Sequence, residues 1–255
     1  IQTSLVGSEM CIRDRGVTLY ELLHVGLLEY VPFIILLLAL FTISGGVRLT
    51  GALVGTPIVN LTIILIGTFL ASWMGTTGAA MLLIRPLINA NKHRKNIVHI
   101  IVFFIFLVAN IGGSLTPLGD PPLFLGFLKG VDFFWTTTAM FVPMLIMIIA
   151  LSIIFYFLDS YYLKKEDIKV ETPQEKLKLG IEGVFNLGLI VGVIGAVLIS
   201  GFWKPHISFE VYSGVHLELQ NLTRDILLLI LTYISWTYTC LLYTSDAADD
   251  PAIVV

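Results

Sequence analysis

The sequence predicts an all-α membrane protein, a polytopic helical bundle that contains a re-entrant hairpin and a discontinuous helix. Three observations carry this reading. Of 255 residues, 56% are hydrophobic and 13% charged, and the mean hydropathy is +0.91, far from the balance of a water-soluble domain. The apolar stretches are long enough to cross a hydrocarbon core of ~30 Å at ~1.5 Å per residue, and they lack the alternation of an outer-membrane barrel. Two of them are interrupted by glycine, proline and hydroxyl residues, which free backbone groups that lipid cannot satisfy. A formal net charge of -3 gives no reason to expect nucleic acid as a partner. The lipid bilayer is the partner that composition demands.

Both ends differ from the middle. "VGSEMCIRDR" and "CLLYTSDAADD" resemble translated adapter sequence, so 1–15 and 240–255 are expected to be non-native and 16–239 to form the transmembrane domain. Cys11 and Cys240 fall in these ends, and no disulfide or thiolate metal site is argued from them.

The first span is expected over about Tyr30 to Ile43, with a start nearer Leu19 as the alternative, and ends at "SGG" beside Arg48. A second apolar run, Thr56 to Trp73, meets "GTTG" at 75–78 and is followed by "AAMLLIRPLI" before "NANKHRKN". Ten helical residues cover only ~15 Å, half a bilayer. Arg48 precedes this pair, and Arg85, Lys92, Arg94 and Lys95 follow it, so both mouths read as cytoplasmic by the positive-inside rule. The spacing therefore predicts a hairpin that dips to the midplane and returns. From Asn96 the chain crosses to Lys129, and a further span, about Phe134 to Leu158, returns to a Lys-rich loop at 159–183. Within that loop Thr172, Pro173 and Glu175 read as the cap, first turn and capping box of a short surface helix. A span over Val184 to Phe202 leads to a Lys-poor segment at 203–224, and a last crossing begins at Asp225 and is read only to about Trp236.

The chemistry concentrates in "NIGGSLTPLGDPPLFLGF", Asn110 to Phe127. Pro117, Pro121 and Pro122 each remove an N–H donor, while Gly112, Gly113 and Gly119 admit backbone shapes other residues resist. A helix broken there presents carbonyls at one half-helix end and N–H groups at the other, a combination suited to an ion or a carboxylate. Asn110, Ser114 and Thr116 add neutral oxygens and Asp120 a carboxylate, which together make a candidate sodium site. "SWMGTTGAA" supplies Ser72, Gly75, Thr76 and Thr77 at the hairpin turn, and the pairing of the two motifs strengthens both. His99 reads as an interfacial residue beside a basic loop, and Arg85 as a snorkelling one. No cluster of nucleophile and base suggests an enzyme.

These motifs, together with "PFIILLLALFTISGGVRLTG" and "HIIVFFIFLVAN", resemble the bacterial sodium:proton antiporter group related to citrate transporters, within the ion transporter superfamily. The resemblance covers about 17–236. It implies two inverted repeats, each with a re-entrant hairpin and a discontinuous helix, of which this chain holds the first. A second repeat is then expected beyond 236, and 16–236 alone is expected not to transport. The resemblance also implies secondary active transport by alternating access in a bacterial inner membrane, with loops 89–96 and 159–183 cytoplasmic. Sodium/proton exchange is the leading expectation, and sodium- or proton-coupled symport of citrate-like carboxylates the alternative. No organic cofactor is expected, since the sodium ion and the proton serve as coupling ions; a homodimer is compatible with the family. Where carboxylate carriers of that superfamily have a Ser-Asn-Thr type motif, this chain reads Gly75-Thr76-Thr77-Gly78, without the asparagine amide.

Overall fold

The computed structural model describes residues 20, 22–50, 53–166, 180–203, 205, 207–212 and 215–247. Five helices among them are long and apolar enough to cross a membrane, so the all-α polytopic reading holds. The expected surface helix around Pro173 lies outside the described residues, as do most of the two ends expected to be non-native.

Helix α1 (Leu22–Gly45) begins near the earlier of the two expected starts and carries a π-helical stretch at Gly26–Tyr30. Pro32 follows that stretch and has no N–H to give to the turn before it, which accounts for the local change of pitch. The short strand β1 (Arg48–Thr50) comes next. Helix α2 (Pro57–Met74) is started by Thr56, whose Oγ1 accepts from the Val59 N–H, and by Pro57 at the first helical position. A single residue, Gly75, then reverses the chain. Its φ of +81° is open to glycine and resisted by residues with a Cβ.

Helix α3 (Thr76–Ala90) runs back alongside α2, and the two mouths meet: the Gly55 N–H donates to the Ala90 carbonyl at 2.8 Å. The hairpin is as expected, and its second arm is longer than the ten residues counted in the sequence. Helix α3 carries helical geometry through Arg85 and Pro86 for 15 residues, and α2 has 18. At ~1.5 Å per residue the tip lies ~22–27 Å from the mouths.

Helix α4 (Val98–Leu115) is α-helical to Phe104, π-helical over Ile105–Asn110 and 3-10 over Ile111–Leu115. Extended Thr116 and a turn closed by the Gly119 N–H on the Thr116 carbonyl break it before α5 (Pro121–Leu128). Helix α6 (Trp135–Lys165) is 31 residues long, so the region expected as loop from 159 is helical as far as Lys165. Only 11% of its most apolar stretch is buried, the least of the five candidate spans.

Strand β2 (Gly180–Glu182) pairs antiparallel with β1, and α7 (Val184–Phe202) follows. Strands β3 (Ser208–Tyr212) and β4 (Val215–Glu218) form a hairpin, after which α8 (Leu219–Ala247) starts six residues before the expected Asp225 and continues unbroken past Trp236. Helices α1, α7 and α8 pack on one another, while α2, α3, α4 and α6 form a neighbouring group. The core is continuous between them, running from Leu36, Leu40 and Ile43 through Ile64, Leu83 and Leu107 to Val193 and Leu228.

Candidate functional site at the hairpin tip

The hairpin tip and the helix break interlock through main-chain groups. The Thr76 N–H donates to the Gly119 carbonyl at 3.1 Å, and the Ser72 hydroxyl donates to the Gly112 carbonyl at 2.6 Å. In return the Thr116 hydroxyl donates to the Ser72 carbonyl. Each satisfies a backbone group that the break or the turn would otherwise leave bare in an apolar surrounding. From the other side Thr136 and Thr137 of α6 both donate to the Leu115 carbonyl, at 3.0 and 2.7 Å.

Glycine permits the approach. A Cβ on Gly112 would stand 2.7 Å from the Thr68 carbonyl oxygen, and one on Gly113 would stand 2.7 Å from the Thr76 methyl and 3.0 Å from the Gly119 oxygen. A Cβ on Gly119 would run into the Gly113 backbone itself.

A cavity of about 360 Å³ opens beside this interlock. Its walls are α1 (Ile34 to Phe41), the tip residues Gly75, Thr76, Thr77 and Gly78, and the break residues Pro117 to Pro121. Asp120 is the single ionisable residue in that lining. It occupies the N-cap position of α5, where an aspartate ordinarily accepts an N–H from the second or third helical residue. Here the first two are Pro121 and Pro122, with no N–H, and the third, Leu123, bonds to the Asp120 main-chain carbonyl at 3.1 Å. The carboxylate makes no capping bond and is left for other use.

The predicted site residues thus divide. Ser72, Gly75, Thr76, Gly112, Gly113, Thr116 and Gly119 come together in the interlock, and Thr77 and Asp120 join Gly75, Thr76 and Gly119 at the cavity. Two of the four residues expected around sodium are bonded within their own helix. The exposed Asn110 gives its amide to the Ile105 carbonyl at 2.8 Å, and Ser114 gives its hydroxyl to the Ile111 carbonyl at 2.8 Å.

A second polar cluster lies at the mouths of the hairpin, and the sequence does not announce it. Asp159 of α6, expected in a loop, is fully buried. Its carboxylate pairs with Arg94 at 2.6 Å, meets His99 Nε2 at 2.7 Å and accepts from the Asn60 amide at 3.0 Å. Asn60 and Asn91 exchange amide hydrogen bonds at 2.7 and 3.0 Å, and Glu166 accepts from the Asn96 N–H and side-chain amide. His99, read as interfacial, has partners that the sequence does not show. It is stacked on Tyr162 and tied to α6. At the far side Arg224, expected outside the membrane, is buried in α8, pairs with Asp225 at 2.8 Å and lies over the Phe124 ring of α5.

A hairpin tip docked into a helix break, with an uncapped carboxylate on an adjoining cavity and several spans around it, defines a membrane transporter. Comparison with known proteins makes this specific: a family described as "Putative citrate transport" matches residues 3–247, and the chain belongs to it. Comparisons with curated proteins and with solved structures found no match. The family membership places the chain on the citrate-transporter side of the resemblance drawn from its motifs.

Proposed function

We propose that the protein is a secondary carrier of citrate-like carboxylates, coupled to sodium or protons and working by alternating access. The observation that carries this is the uncapped Asp120 carboxylate on the same cavity as the first turn of α3. Thr76 donates its N–H to Gly119, and no side chain caps the α3 N-terminus. Such a terminus favours an anion. A fixed negative charge nearby repels that anion until a cation or proton neutralises it, so cargo and coupling ion enter together.

The second reading is sodium/proton exchange, with both ions competing for Asp120. It is favoured by Asp120 being the one ionisable residue in the cavity lining. Flux by the protein in liposomes, with citrate and sodium gradients varied separately, separates the two. In the carrier, Asp120→Asn keeps citrate binding and loses its sodium dependence; in the exchanger, it abolishes sodium/proton exchange. Citrate uptake by Asp120→Asn with unaltered sodium dependence overturns the first reading, and unaltered exchange overturns the second.

Placement in a bacterial inner membrane with the hairpin mouths cytoplasmic belongs to the same proposal. The bonds that Asn96 and Arg94 make to Glu166 and Asp159 bring Lys92 and Lys165 to one end of the molecule. Cysteines at these two positions are expected to be labelled from the cytoplasmic side, and one at Glu210 from the opposite side. Labelling of Lys92→Cys and Lys165→Cys from different faces would reject the orientation.

A further inference from the structure

The cluster at the mouths of the hairpin holds two carboxylates, Asp159 and Glu166, and one guanidinium, Arg94, with side chains 0, 5 and 0% exposed. Arg94 is shared between them unevenly. Its Nη1 lies 2.6 Å from Asp159 Oδ1, whereas its Nε stops 3.9 Å from Glu166 Oε2, and neither that Nε nor that Oε2 has a hydrogen-bond partner. Buried charged atoms left in this way are costly. One guanidinium does not serve both acids, and beside a neutral imidazole the buried set is one positive charge short.

His99 is placed to supply that charge. Its Nε2 is 2.7 Å from the same Asp159 Oδ1 that Arg94 meets. A carboxylate oxygen accepts, so Nε2 carries a hydrogen, and the proton that charges the ring enters at Nδ1. The ring is not sealed off: 8% of the side chain meets solvent, at the end of α4 that lies with the hairpin mouths. Tyr162 of α6 stacks on the ring at 4.6 Å, and Asn60 of α2 gives its amide to Asp159 Oδ2, but neither supplies a positive charge. Lys92, His93 and Lys95 of the segment after α3, and Lys164 and Lys165 of α6, are exposed to solvent, and among the described residues none of them pairs with the cluster.

We propose that His99, with Asp159, is a proton-binding site that fastens the hairpin mouths to α6. A proton on His99 brings the buried set to two negative and two positive charges. The imidazolium then shares Asp159, which lets Arg94 close on Glu166 and ties the segment after α3 to the end of α6. Loss of the proton returns the set to net negative charge and loosens the same contact. Imidazole is the side chain whose charge ordinarily changes between about pH 5 and 8, so the mouths respond over that range to the aqueous side they face. The site lies at the opposite end of the hairpin from Asp120, and its charge balance is independent of the cargo.

The test is hydrogen exchange of the backbone amides of 91–96, read by mass spectrometry as protection factors, on the protein in detergent at about pH 6 and about pH 8. Protection factors remove the intrinsic effect of pH on amide exchange. The proton belongs to the fastened form, so protection is present on the acid side and lost as pH rises. Wild type is expected to show about tenfold greater protection at the lower pH, because one proton taken up on closing shifts the equilibrium by up to about tenfold per pH unit. His99→Gln keeps a donor for Asp159 but cannot be charged, and is expected to lose this difference. In Glu166→Gln the side-chain carbonyl still accepts from Asn96, but the set is neutral without a proton, so protection is expected to be high at both pH values. His93→Gln, on the exposed side, is expected to keep the wild-type difference. Wild-type protection that does not change with pH overturns the proposal, as does a pH difference that persists in His99→Gln or in Glu166→Gln. A difference abolished by His93→Gln assigns the proton to the surface and overturns it too.

Discussion

The tip and the mouths of the hairpin lie at opposite ends of the same two helices and are held by different physics. At the tip, hydroxyls and N–H groups bond to carbonyls, glycines allow backbones to touch, and no charged pair takes part. At the mouths, a buried ion pair with histidine and two asparagines joins α2, α4, α6 and the segment after α3. A buried charge network depends on all its members, because removing one leaves another uncompensated. A backbone interlock depends mainly on shape and tolerates the loss of single hydroxyls. The lesson is a division of labour: charged side chains fix the mouths of the hairpin to α6, while main-chain groups and hydroxyls fix its tip to the break in α4.

The largest effect that would break this contrast is expected at the mouths. Arg94→Met leaves Asp159 buried without its cation and is expected to lower stability by ~3–5 kcal/mol in thermal or denaturant unfolding in detergent. The double variant Arg94→Met/Asp159→Leu should recover most of that loss. If the single variant is as stable as wild type, the network is not what fastens the hairpin.

At the tip, Gly119→Ala must push the Gly113 backbone away and is expected to cost ~1–3 kcal/mol of stability. Gly188→Ala makes the comparison: a Cβ there meets nothing within 4 Å, and in mid-helix it should be neutral or stabilise by up to ~1 kcal/mol. Similar unfolding midpoints for the two variants would show that the break does not rely on close backbone contact. The smallest effect belongs to Ser72→Ala, which removes one donor to the Gly112 carbonyl and should cost ~1 kcal/mol. A loss as large as that of Arg94→Met would erase the distinction between the two ends.

The tip was legible in the sequence because it is built from residue types that contradict their setting. Glycine, proline and an aspartate inside apolar runs leave few arrangements other than a break, and pairing Gly75–Gly78 with Gly112–Pro122 put tip and break together. The mouths were not legible. Asp159 ends an apolar run and is followed by Lys164 and Lys165, a pattern that reads as a loop, although a helix can continue past the core and bury one carboxylate against partners. Those partners, Asn60 and Arg94, lie 99 and 65 residues away, and no local spacing links them. The bond from His99 to Asp159 spans 60 residues and has no local signal either. Asp120 was found, but its freedom from capping follows from the proline pair only once α5 is seen to start at Pro121.

The single-residue turn at Gly75 bears on how the chain enters the membrane during synthesis. Helix α2 is apolar enough to partition by itself, although it carries Asn60, Thr68 and Ser72, whereas α3 is not among the helices that qualify as spans and bears Arg85, Pro86 and Asn89. Released alone from the insertion machinery, α3 would be too short at 15 residues to cross a ~30 Å core. Gly75 gives it no such freedom: with one residue of connection, the second arm emerges already against the first. The two helices must pass into lipid as a folded pair, so a change that slows closure of this turn should lower the yield of inserted protein even where the finished fold is unharmed.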